Sequence, residues 1–162
     1  MTTFETVTLA LTGLATVEPM AKASGTVNSP LEPKLVFDRV SDFSTTAKWD
    51  PGVVEAEKLT DGHVEIGAKF RVVARFMGRN SELVYEVTEF TPGSRVVLRG
   101  ENATVLSIDE IIVEPRGGGS TVRYSADLTL KGPLKLADPL LGLAFDQIAK
   151  KALAGLEAWL AD

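Results

Sequence analysis

Asp109 stands in the most telling setting of any carboxylate in this chain. Around it, Val105-Leu-Ser-Ile-Asp109-Glu-Ile-Ile-Val113 alternates at period two, the pattern of a strand with one face buried. One set is Val105, Ser107, Asp109, Ile111 and Val113, and the other is Leu106, Ile108, Glu110, Ile112 and Glu114. The second set carries two glutamates and is read as the outer face, so Asp109 turns inward. A carboxyl in an apolar cavity has its pKa raised by desolvation and can act as a general acid or base. Two plainer outcomes stand beside this one: an arginine pairs the carboxylate, or a bulge flips the register.

Tyr85 and Tyr124 fall on apolar faces as well. Leu83, Tyr85 and Val87 oppose Glu82, Val84, Glu86 and Thr88, and Val122, Tyr124, Ala126 and Leu128 oppose Arg123, Ser125 and Asp127. A hydroxyl turned into an apolar space needs a partner. Here that partner is either a ligand or the backbone. Trp49 closes a short helical segment, where it packs the helices onto the sheet, borders a cavity, or does both. Other chemistry is sparse. The single histidine, His63, lies in the turn Asp61-Gly62-His63 and is read as solvated, with nothing nearby to build a Ser-His-Asp triad. No cysteine is present, which excludes disulfides, thiol nucleophiles and thiolate metal sites. There is no histidine-spaced metal cluster. Gly117-Gly118-Gly119 joins two strands and so reads as a hairpin turn, not a phosphate cradle. No cofactor and no metal are expected. Arg71, Arg75, Arg99 and Arg123 interleave with Glu82, Glu86 and Asp127, as on the wet side of a sheet.

These residues need a scaffold. Period two recurs over 53–59, 67–77, 81–90, 94–100, 103–114 and 120–130, separated by the turn signals Asp61-Gly62, Gly78-Arg79-Asn80, Thr91-Pro92-Gly93, Gly100-Glu101-Asn102 and the triple glycine. The short links predict an antiparallel meander. A first strand is expected over 22–28, weakened by Gly25. Ser29 and Pro30 then suit the cap and first position of a helix, with Glu32 in its first turn. That helix spans Leu31–Phe43, with Leu35, Val36, Val40 and Phe43 on one face, and a second helical turn follows over 44–48. Residues 137–160 read as one long helix of about 36 Å, capped by Asp138 with Pro139 in its first position. Its stripe is Leu141, Phe145, Ile148, Ala152, Leu156 and Trp159, widened by Leu140, Leu143 and Leu153. A helix this apolar must lie against a sheet. Its far part, near Phe145, Leu156 and Trp159, is expected to pack as core. Its near part, Leu140, Leu141, Ala144 and Ile148, is expected to face open space.

Residues 1–19 read as an N-terminal extension, either an extra strand through Thr6–Leu11 or a leader upstream of one domain over 20–162. The start Met-Thr-Thr-Phe-Glu, which carries no positive charge, argues against a signal peptide, and no run is apolar enough to span a bilayer. A net charge of −5 without a basic run argues against nucleic acid and anionic membrane as partners. The absence of cysteine fits a reducing, cytoplasmic compartment. Nothing in the sequence specifies an oligomeric state.

The order of elements, with Ser29-Pro30, Val36-Phe37-Asp38, Trp49-Asp50-Pro51-Gly52-Val53, Val87-Thr-Glu-Phe-Thr-Pro92-Gly, Gly118-Gly119-Ser120-Thr121-Val122-Arg123-Tyr124 and Asp138-Pro139-Leu140-Leu141, resembles the START-like helix-grip superfamily. Within it, the resemblance is to the bacterial polyketide cyclase/dehydrase and lipid-transport group, from about residue 20 to the end. It implies an α+β fold in which a curved antiparallel sheet of about seven strands wraps the C-terminal helix, with two short helices after the first strand plugging one end of an apolar cavity. The residues expected on the cavity wall are Trp49, Phe70, Val72, Leu83, Tyr85, Ile111, Tyr124, Leu140, Leu141, Ala144 and Ile148, with Asp109 as the candidate catalytic group. The leading expectation is binding of a small hydrophobic or aromatic molecule (lipid, polyketide or isoprenoid-like). The alternatives are a polyketide aromatase/cyclase and a quinone-binding, chaperone-like protein. The lone histidine and the lack of a clustered acid–base pair favour binding.

Overall fold

The computed structural model describes residues 20–76, 78–132 and 140–162. Seven antiparallel strands form one sheet: β1 (Met20–Ser29), β2 (Val53–Lys58), β3 (Lys69–Phe76), β4 (Arg79–Thr91), β5 (Arg95–Glu101), β6 (Val105–Arg116) and β7 (Gly119–Leu130). Their order across the sheet is β1-β7-β6-β5-β4-β3-β2. The six strands from β2 to β7 therefore follow the chain as a meander, and β1 closes the far edge against β7. Between β1 and β2 lie α1 (Pro33–Ser41), a 3-10 turn (Phe43–Thr45) and α2 (Thr46–Trp49), and α3 (Leu140–Trp159) ends the chain. The expected extension over 1–19, the Asp138 cap and Pro139 lie outside the described residues.

The start of α1 differs from expectation. Ser29 is the last residue of β1, Glu32 occupies the cap position, and Pro33 is the first helical residue. The residue before a proline is pushed out of the helical region, and Glu32 is indeed extended at φ −64°, ψ 149°. Ser29 instead donates to the Leu160 carbonyl at 2.6 Å and accepts from the Leu31 N–H at 3.1 Å, tying the end of α3 to the end of β1. The buried face of α1 carries Val36, Phe37 and Val40, and Leu35 is exposed. The 3-10 turn is capped by Asp42, which accepts from the Ser44 N–H at 3.0 Å. Asp50 then ends α2, and its Oδ1 accepts from the Gly52 N–H at 2.8 Å, a side-chain turn that sends the chain into β2.

The concave face of the sheet carries the core: Val27, Phe70, Leu83, Val87, Val96, Leu98, Ile111, Val113 and Val122, against Val36, Phe37, Val40, Phe43, Leu156 and Leu160 from the helices. The convex face carries ion pairs, Arg71 with Glu82 among the residues expected there, and also Arg71 with Glu55, Arg95 with Glu110 and Arg123 with Glu114. A bulge in β4 between Val87 and Glu89 leaves Thr88 and Glu89 both exposed. It brings Phe90 inward, 5.5 Å from Phe37 between ring centres. Two glycines set how closely α3 sits. A Cβ on Gly25 would lie 2.2 Å from Leu153 Cδ1, and one on Gly155 would lie 1.9 Å from the Trp49 carbonyl oxygen. The helix therefore rests on β1 at one point and directly on the backbone of α2 at another.

Candidate functional site

Between the sheet and α3 lies a cavity of about 200 Å³, many times the roughly 10–15 Å³ that one water requires. Its wall is mainly apolar: Val72 and Leu83 from the sheet, Phe43 and Trp49 from the helical segment, and Phe145, Ile148 and Leu153 from α3. The polar end is built by the register of the strands. Tyr85 pairs with Gly100, Gly100 with Ser107, and Asp109 with Ala126. Gly100 leaves the space over which the Tyr85 ring lies, since a Cβ there would be 2.5 Å from the ring. The pairing of β6 with both neighbours runs without a shift. Asp109 therefore points inward, and neither the bulge nor an arginine partner takes it away.

Asp109 is instead held by hydroxyls. Ser107 donates to its Oδ1 at 2.6 Å and Tyr124 donates to its Oδ2 at 2.5 Å. Burial pushes the carboxyl up to about 6, with nearby Asp50 and Asp127 adding to the shift and the two hydrogen bonds opposing it. Burial and the charge of Asp109 hold both phenols, Tyr85 and Tyr124, well above their ordinary range. Burial also raises Asp50, against the Gly52 N–H that it accepts. Trp49 meets Tyr124 edge to face with ring centres 6.0 Å apart, and Phe43 meets Tyr85 likewise at 5.1 Å. The indole N–H of Trp49 is buried and has no hydrogen-bond partner among the described residues. Such an arrangement can bury an apolar molecule, offer it hydrogen bonds at one end, and hold a proton near neutral pH.

Among the residues expected on the wall, Trp49, Val72, Leu83, Tyr85, Asp109, Tyr124 and Ile148 line the cavity. Phe70 and Ile111 do not: both are fully buried in the core, where Phe70 packs 6.2 Å from Phe43 between ring centres. Ala144 is half-buried on α3 outside the lining, and the side chains of Leu140 and Leu141 lie outside the described residues. Phe145, expected as core, faces the cavity, while Leu156 is core as expected. Arg75, expected outside, is exposed but borders the cavity. Sequence reasoning missed Ser107, Asp50 and Leu153. Ser107 was accessible to it, because it lies two residues from Asp109 on the same strand face.

Among the described residues, no group of three or more His, Cys, Asp or Glu is placed to hold a metal ion, and no helix is long and apolar enough to cross a membrane.

A curled sheet gripping a C-terminal helix, with a cavity between them, is the helix-grip architecture. The chain belongs to the polyketide cyclase / dehydrase and lipid transport family, whose model matches residues 20–161. No curated protein matches it in sequence. Solved structures share the fold at low identity. A START superfamily protein from Mycobacterium smegmatis has a TM-score of 0.71 at 16% identity, over 86% of this chain and 96% of that one. A protein from Thermus thermophilus has a TM-score of 0.70 at 20% identity, over 88% and 97%. The Zhui aromatase/cyclase from Streptomyces has a TM-score of 0.69 at 14% identity, over 88% and 94%.

Proposed function

We propose that the protein binds a small hydrophobic or aromatic molecule in the cavity between the sheet and α3. The observation that carries this reading is the mainly apolar wall with a cluster of polar groups at one end, the composition by which pockets draw a ligand from water and then orient it. Family membership supports it, since the family model joins cyclases to lipid transport. The net charge of −5 argues against nucleic acid as a partner, and the cysteine-free chain fits a cytoplasmic setting. Titration with the neutral fluorophore N-phenyl-1-naphthylamine is expected to give saturable one-to-one binding. Ala149, on the cavity wall, provides the control: Ala149→Phe fills the space and lowers affinity at least tenfold. Binding that this substitution leaves unchanged would remove the cavity from the account.

A second reading is favoured by one observation, the Asp109–Tyr124 hydrogen bond inside the cavity. In a polyketide aromatase/cyclase the wall would fold a poly-β-keto chain into a reactive conformer, and Asp109 would move protons. Asp109→Asn then abolishes turnover while the near-UV circular dichroism stays native. Full retention of activity by the variant removes the carboxylate from the chemistry.

A further inference from the structure

The direction of the hydrogen bonds at the polar end restricts what the ligand can carry. Ser107 and Tyr124 each own one hydroxyl proton, and both protons point at Asp109. Tyr85 lines the same end, and its hydroxyl has one proton to give and lone pairs to receive one. Thr46, also on the wall, donates to the Phe43 carbonyl at 2.7 Å. Asp50 brings a second, half-buried carboxylate to the same wall, with one oxygen occupied by the Gly52 N–H. The polar end thus presents lone pairs of Asp109, Asp50 and the tyrosine oxygens, with the Tyr85 hydroxyl as a donor beside them. The remaining donors of the wall lie elsewhere. Arg75 and Ser24 are exposed, and Ser81 sits four residues along β4 from Tyr85.

Two carboxylates at one end disfavour an anionic ligand, and a ketone or an ether leaves the lone pairs of Asp109 unused. Such an end favours a donor. The Tyr85 hydroxyl, on the same wall, adds a donor that seeks one acceptor at this end. A hydroxyl meets both demands with one group.

Resting on the binding function above, we propose that this cavity selects an apolar ligand bearing a hydroxyl, an alcohol or a phenol, which donates to the Asp109–Tyr124 pair. The test compares three probes of nearly one shape, 1-naphthol, 1-methoxynaphthalene and naphthalene, by displacement of N-phenyl-1-naphthylamine at pH 7.5. The naphthol is expected to bind about tenfold more tightly than its methyl ether, the worth of one well-placed hydrogen bond. Asp109→Asn turns one acceptor into a donor, and the preference is expected to shrink below about threefold. Tyr124→Phe, which keeps the ring and removes the oxygen, is expected to shrink it as well, providing a second variant should the first fold poorly. Saturable binding of all three probes with equal affinity, or with the ether preferred, overturns hydroxyl selection and leaves the cavity reading intact. Failure of all three to bind overturns both.

Discussion

Asp109→Asn is expected to stabilise the folded protein at pH 7.5 and to leave its stability nearly unchanged at pH 4. Burial raises this carboxyl from the ordinary 3.8 to about 6, so the folded state holds its proton more tightly than the unfolded chain does. Below 3.8 both states are protonated and the group is neutral in the balance. Between 3.8 and 6 the unfolded chain has lost the proton and the folded state retains it, so stability falls as pH rises through this window. Above 6 the full cost of the buried charge is present. A shift of roughly two units corresponds to about 3 kcal/mol. The amide keeps partners for both Ser107 and Tyr124, so a gain of about 1–3 kcal/mol is expected at pH 7.5, or roughly 3–9 °C in melting temperature. Thermal melts at the two pH values check it. Equal destabilisation at both would mean that the hydroxyl contacts, not desolvation, dominate the site. The other groups acting on this carboxyl are Ser107, Asp50, Asp127 and the two tyrosines, whereas the described side chains that α3 turns toward the cavity are all apolar.

The second large effect is expected at Gly155. A Cβ there would lie 1.9 Å from the Trp49 carbonyl oxygen and 3.1 Å from its carbon. The obstacle is backbone, so no rotamer change relieves it, and α3 must move off α2. Gly155→Ala is expected to cost about 3 kcal/mol or more, at the upper end of what overpacking produces. It is also expected to weaken ligand binding, because α2 carries Trp49 and leads into Asp50 on the cavity wall. Gly142, on the same helix with nothing within 4 Å of a Cβ, is the control. Gly142→Ala removes a poor helix former and is expected to leave stability unchanged or raise it by up to about 1 kcal/mol. Denaturant unfolding of both variants separates the contact from helix propensity. Similar behaviour of the two would deny the close approach.

Much of this was legible because β6, and β4 as far as Val87, alternate regularly. Period two placed Asp109, Tyr85 and Tyr124 on the concave face, and the regular pairing of β6 kept them there. Ser107 was equally placed, yet a lone serine carries no signal until its carboxylate partner is known. The misplacements have local causes. Pro33 dictates the start of α1, and the packing of that helix on the sheet buries Phe37 and leaves Leu35 exposed. Phe70 and Ile111 share the concave face with the cavity residues, but position along a strand, not side, decides which inward residue meets helix and which meets open space. The split of α3 between core and cavity depends on where Gly25 and Gly155 let it rest, and those are long-range contacts with no periodic signature. Gly100 reads as a turn residue in the sequence, although its role is to admit the Tyr85 ring.

The most direct measurement is methyl NMR of protein labelled at Ile, Leu and Val, titrated with N-phenyl-1-naphthylamine. Saturating shifts are expected at Val72, Leu83, Ile148 and Leu153, which line the cavity. Shifts confined to Val54, Leu59, Ile66 and Leu143, which are exposed on the outer surface, would contradict a ligand held between sheet and helix.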